Sequence, residues 1–350
     1  MAHITHCWQY GCKTRKRVRG STLSGIFQAI NLLGAFGSAI EAGKPIKLRP
    51  GYYTPGFMAV LCAFLRRRNV PAEGLLYDCP KVSGYFRAMR ISQVLWGVDD
   101  YQYGRPNAGT NYAPLTHLAS REAVDDATQQ INGCLREMAG SARLDYRDSV
   151  AFKELMHVVG ELHDNVWSHG LDCGFSLAQR RKHGGQRSEI EFALADNGMG
   201  FLGELRSSGV AKRFGIQTDQ EAIDWCVKEG NSSKLVDTDD GWGQSLPEDF
   251  VGANPYGAGV TSRAVAGGNH HQGLGLAKLL ALAKAYDGIL HLQSGDTCLS
   301  VKHGVLSFNR MNHSWQGVAI SLTLDEAKMA AAKQPETTAD VDEIMKLLRG

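Results

Sequence analysis

Hydrophobic positions recur along this chain with two periods, and the period changes where one element gives way to the next. Residues 154–162, Glu-Leu-Met-His-Val-Val-Gly-Glu-Leu, place apolar side chains at helical spacing. Continued to residue 170, that helix sets Glu161, Asn165 and His169 on one stripe at about 100° per residue. Residues 189–195, Glu-Ile-Glu-Phe-Ala-Leu-Ala, alternate as a half-buried strand does and run into the turn Asp196-Asn197-Gly198-Met199-Gly200. Further on, 277–283 reads as an apolar helix entered from a glycine-rich stretch at 267–276, and 288–295 and 317–324 have the pattern of closing strands. A short helix is expected over 221–227, stopped at Gly230.

The front third alternates on a smaller scale. Strands are expected at 46–49 and 74–78, an amphipathic helix at 56–67, and a further helix from 82 to 96 that stops before Gly97. Alternation of strand and helix predicts a small α/β layer. Residues 101–116 carry the turn chemistry of a linker or a strand-rich crossing, so a boundary is placed there. Ser120 then caps a helix running to about residue 139. Four regions result: an N-terminal arm and helix over 1–43, a small α/β domain and linker over 44–116, a larger α/β domain over 117–326, and a tail over 327–350 whose residues 341–348 are amphipathic.

Composition narrows the class. A chain of 350 residues fits two domains, and 43% hydrophobic with 21% charged residues is ordinary for a soluble globular protein. A net charge of +2 with a pI near 8.1 is too mild for nucleic acid as the principal ligand. The basic run Lys13 to Arg19 reads as a solvated arm. Eight cysteines without a Cys-x-x-Cys pair fit reduced thiols in the cytoplasm. His3, His6, Cys7 and Cys12 are too irregularly spaced, and lack a second ligand pair, for a zinc site. No apolar stretch reaches 18 residues, so neither a membrane span nor a cleaved leader is expected.

The candidate chemistry lies where the helix stripe, the strand end and the second glycine stretch meet. Glu161 and Asn165 offer a carboxylate and an amide oxygen to one cavity. Asp196, past the edge of its strand, can accept a hydrogen bond from an exocyclic amine. Glycines ahead of 277–283 let backbone N–H groups approach phosphate oxygens at a helix N-terminus. Each piece alone has a plainer reading: Asp-Asn-Gly is a common turn, and Glu and Asn at i, i+4 are often a solvated edge. Order and spacing of all three together favour a nucleotide site.

Over about residues 148–326 the chain resembles the GHKL superfamily, the ATP-binding fold shared by gyrase B, heat-shock-90 chaperones, histidine kinases, MutL-type repair proteins and anti-sigma serine kinases. The matches are Glu161/Asn165 for its N-box, Asp196/Gly198/Gly200 for its first glycine box, and 271–275 for the second, where His271 stands in place of the opening glycine. Gly267 and Gly268 just upstream could supply the missing flexibility. The resemblance implies a two-layer α/β sandwich of the Bergerat type, with a mixed sheet and helices on one face. It implies ATP and Mg²⁺ as ligands, with Asn165 at the metal, Asp196 at the adenine amine, and Gly268, Gly273, Leu274 and Gly275 at the phosphates.

Glu161 would be the catalytic base, acting on water or on a hydroxyl. Residues 241–260 would form a lid, and Lys234 reads as a solvated turn lysine, with a phosphate contact as the alternative. Residues 85–91 resemble the last part of STAS domains, the partners of anti-sigma kinases, over about 44–100. Three functions stay open: an ATPase whose lid closure regulates a protein partner, a protein serine/threonine kinase of the anti-sigma type, and a non-catalytic ATP-gated module. A homodimer is also left open.

Overall fold

In the computed structural model, residues 23–141, 149–167, 173–183, 187–228, 231 and 274–331 are described. The chain begins β1 (Leu23–Ser24), α1 (Ile26–Glu41), β2 (Ile46–Leu48), β3 (Tyr52–Tyr53), α2 (Pro55–Arg67), β4 (Leu75–Tyr77), α3 (Pro80–Ala88) and α4 (Ile91–Trp96). It continues β5 (Tyr112–Leu118), α5 (Arg121–Ser141), α6 (Val150–Asn165), β6 (Gly174–Lys182), β7 (Ser188–Asp196), α7 (Gly200–Ser207), α8 (Val210–Phe214) and α9 (Asp219–Cys226). It closes with α10 (Leu274–Ala285), β8 (Ile289–Lys302), β9 (Val305–Asp325) and α11 (Glu326–Ala331). The protein is mixed α/β.

Five strands form one sheet in the order β5-β6-β7-β9-β8, and every neighbouring pair is antiparallel. The mixed sheet that the resemblance implies is therefore corrected to an antiparallel one. Short connections join β6 to β7 and β8 to β9, and strands joined so tightly can only pair antiparallel. Parallel pairing is confined to two small sheets, β1 with β3 and β2 with β4.

Helices cover both faces of the large sheet rather than one. Along β7, Ile190, Phe192 and Leu194 enter a core with Leu135 of α5, Val158 and Leu162 of α6, and Leu279 and Leu282 of α10. Ala193 and Ala195 point the other way, into a core with Ile30 and Leu33 of α1, Phe57 and Leu61 of α2, and Phe86 of α3. The second layer follows from α2, which is not the amphipathic helix expected. Every residue from Pro55 to Leu65 is buried, and only Arg66 and Arg67 at its end reach water. A helix apolar all round belongs inside a protein, and the sheet opposes it with small side chains. At Gly56 a Cβ would stand 2.9 Å from the Ser321 Cβ, so glycine is what permits the approach.

Other boundaries differ locally. The helix expected over 82–96 is broken into α3 and α4 at Arg90, whose φ is 61°. β5 begins at Tyr112, inside the stretch expected to be linker, and residues 116 and 117 lie within that strand. β8 and β9 extend far beyond the expected closing strands. Ser149 and Ser120 both act as helix caps, accepting from Phe152 N–H at 3.4 Å and Ala123 N–H at 3.2 Å. Among the described residues no helix is long and apolar enough to cross a membrane, and all six described cysteines are free.

A buried polar chain ties the α5/α6 layer to the sheet. Ser176 Oγ donates to the Ala193 carbonyl at 3.1 Å, so its oxygen must accept from His163 Nε2 at 2.8 Å. That fixes the tautomer, and His163 Nδ1 accepts from Thr128 Oγ1 at 2.8 Å. Burial drives the imidazole down to about 3, against an ordinary 6.5. Because the unfolded chain binds this proton more tightly, stability falls as pH drops through 6.5 and continues to fall until about 3. The expected loss at about pH 4.5 is on the order of 2–3 kcal/mol from this group. Urea unfolding between pH 7 and 5 should show a steeper fall than in His163→Gln, which offers a donor and an acceptor without titrating. Parallel pH profiles in the two proteins would rule out His163 as the source.

Candidate functional site

The C-terminal half of α6 carries Glu161 and Asn165, and the glycine turn after β7 carries Asp196. Glu161 is only 6% exposed, at the interface between α6 and α10. Its Oε1 lies 3.3 Å from His157 Nδ1 and 3.7 Å from Lys278 Nζ. Lys278 Nζ in turn lies 3.0 Å from His157 Nε2. An ammonium can only donate, so Nε2 accepts from lysine and Nδ1–H donates to the glutamate. Gly275, in the first turn of α10, fits directly against this carboxylate: a Cβ there would be 2.6 Å from Glu161 Oε2 and 3.1 Å from its Cβ. The second glycine stretch and the helix stripe therefore meet at Glu161.

Asp196 ends β7 on the face that bears Ile190, Phe192 and Leu194, which is the α6 face. Opposite it in register stands Gly174 of β6. A Cβ on Gly174 would be 2.9 Å from Val166 Cγ1, just past α6, and 3.4 Å from Asp196 Cβ. The end of α6 and the end of β7 therefore share one corner of the molecule. The Asp196 carboxylate is oriented by two backbone donors to Oδ1, Gly198 N–H at 2.8 Å and Val318 N–H at 3.2 Å.

The turn is then pinned to the far strands. Phe201 N–H donates to Ser294 Oγ at 3.1 Å, and that hydroxyl donates to the Gly317 carbonyl at 3.0 Å. Gly200 has φ +71°, and a Cβ there would be 2.7 Å from Ser294 Oγ, so both its backbone conformation and its surroundings require glycine. α7 opens at Gly200, which places the positive end of a helix dipole at this corner.

Of the expected site residues, Glu161 and Gly275 thus meet where α6 packs on α10, and Asp196, with Gly198 and Gly200 in its turn, lies beside the end of α6 that carries Asn165. Asn165 is half-buried in the last turn of α6. Leu274 begins α10. Gly268 and Gly273, together with His169, Lys234, Gly267, His271 and the expected lid at 241–260, lie outside the described residues. Among the described residues no cluster of three or more His, Cys, Asp or Glu could hold a metal ion. Lys278, Ser294 and Val318 were not singled out from the sequence. Lys278 alone left a signal there, as the first charge in an otherwise apolar helical run.

The chain matches no family model, no curated protein and no solved structure.

Proposed function

We propose that this protein binds Mg-ATP in the manner of the GHKL superfamily and hydrolyses it, with closure over the nucleotide regulating a protein partner. The observation that carries this is the meeting of three segments far apart in sequence: Glu161 against Gly275, and the end of α6 beside Asp196 across Gly174. The donor set fits the ligand. Two backbone donors orient the Asp196 carboxylate, and an ionised carboxylate is an acceptor of the kind an adenine amine requires. Mg²⁺ takes oxygen ligands, usually one or two from protein with the rest from phosphates and water, which suits the single amide oxygen of Asn165. Bound there, the ion would neutralise charge on the phosphates.

In this scheme Gly198 and Gly200 shape the turn that presents Asp196 to the adenine, Gly268, Gly273, Leu274 and Gly275 bring backbone donors to the phosphates, and Glu161 accepts the proton of the attacking water. The parallel β2 and β4, with α2 between them, are in keeping with a STAS-like front region. One observation favours a second reading. Glu161 is held between Lys278, His157 and Gly275, as a strut between α6 and α10 would be, and such a protein would be gated by ATP without turnover.

Incubation with γ-labelled ATP, alone and with cell extract, separates the outcomes. Free phosphate is expected for the ATPase. Label on protein would indicate an anti-sigma-type kinase, bound but unreacted ATP the gated module, and absence of binding would overturn all three. Asn165→Ala should bind ATP without the Mg²⁺ dependence of the parent, because one oxygen ligand is gone. Titration showing equal Mg²⁺ dependence in both would remove Asn165 from the metal.

A further inference from the structure

β7 reaches α2 through two polar groups, one at each end. Glu191 Oε1 accepts from Thr54 Oγ1 at 2.8 Å, from Gly56 N–H at 2.9 Å and from Ser321 Oγ at 3.0 Å, at the N-terminus of the helix. Asn197, past the end of the strand and 4% exposed, donates from Nδ2 to the Ala63 carbonyl at 3.0 Å. Thr54 to Ala63 spans about 14 Å of helix, and Glu191 to Asn197 about 20 Å of strand. α2 therefore lies along β7, with apolar packing between the two fastenings.

The Asn197 contact is specific. Its backbone N–H donates to the Cys173 carbonyl at 3.1 Å, and only its amide nitrogen can face another carbonyl, since an oxygen there would oppose two acceptors. Its Oδ1 is left buried without a hydrogen-bond partner. The side chain thus forgoes one hydrogen bond to keep its hold on α2. The residue also stands between Asp196 and Gly198, so the glycine turn is two-sided. Asp196 serves the α6 face and Asn197 the α2 face. On its other side α2 packs against α1 and α4.

We propose that Asn197 is the positioning residue through which the nucleotide site and the N-terminal layer act on each other. By holding the turn to α2 it sets the place of Asp196, and occupation of the site firms the seat of α2 beneath α1 and α4, where a protein partner would sense it. The proposal rests on the ATP-binding reading and adds its route of regulation. Coupling between binding events is reciprocal, so the effect must be visible from both ends.

The test is hydrogen–deuterium exchange on the whole protein with and without Mg-ATP, in mild urea so that α2 amides exchange through local opening. In the unaltered protein Mg-ATP should slow exchange both in the turn at 196–200 and in α2. In Asn197→Ala the turn should still be protected and α2 should not, with ATP binding weakened about 5-fold or more. Glu191→Gln, which loosens the other fastening, should leave ATP affinity within about 2-fold. Protection of the turn without α2 in the unaltered protein overturns the coupling alone. Absence of any Mg-ATP binding overturns the nucleotide reading and the coupling with it. Should Asn197→Ala fail to fold, α2 exchange in the unaltered protein still decides.

Discussion

Glu161→Gln is expected to lower ATP turnover by about 10²-fold or more while ATP still binds. Gln keeps the length and the acceptor oxygen of the side chain but cannot take a proton from water. The environment of Glu161 makes the substitution a clean one. Gly275 leaves just enough space for a side chain of this size, and His157 Nδ1–H can go on donating to the amide oxygen. Lys278 loses an ion pair, but its side chain is 35% exposed and can turn to water, so the fold should persist. Phosphate release and ATP binding measured on the same preparation separate base from strut. A strut role predicts slow or absent turnover in the parent and a lower melting temperature in the variant. Equal turnover in both proteins would pass the role of base to another group, and His157, half-exposed on the same helix, is the first to examine.

How far the sequence carried this picture depends on the range of each interaction. The stripe Glu161/Asn165 and the placement of Asp196 at a strand end follow from periods of 3.6 and 2, which any single sequence displays. The cap Ser120 is equally local. The second helical layer was harder, although Gly56 to Leu65 contains no charged residue and so no polar face to turn toward water. What the sequence hides are pairs joined only by packing. Asn197 and Ala63 are 134 positions apart, and Asn197 reads as an ordinary turn residue until α2 is laid against it. Lys278 meets Glu161 only because α10 crosses α6, and the break at Arg90 depends on a backbone conformation that residue type does not announce. The antiparallel sheet was obscured for a related reason, since β5 lies in a segment whose glycines, prolines and asparagines read as turns.

Asp196→Asn should weaken ATP binding by about 10²-fold while preserving the fold. The reason lies in the oxygen that the backbone holds. Gly198 N–H and Val318 N–H both donate to Oδ1, at 2.8 and 3.2 Å, and an asparagine can keep its oxygen in that position. Its amide nitrogen is then forced into the place of Oδ2, where it presents a donor to the donor amine of adenine. A charge-assisted hydrogen bond is lost and a conflict takes its place, whereas the turn, fixed by Ser294 and Gly317, is undisturbed. The same geometry predicts a change of preference. A purine nucleotide with an oxygen at position 6 offers an acceptor to the new amide, so Asp196→Asn should bind inosine triphosphate better relative to ATP than the parent does. Calorimetric titration of both nucleotides against both proteins checks this. Unchanged ATP affinity in a folded variant would take Asp196 out of the site, and a uniform loss for both nucleotides would mean that the carboxylate shapes the turn without reading the base.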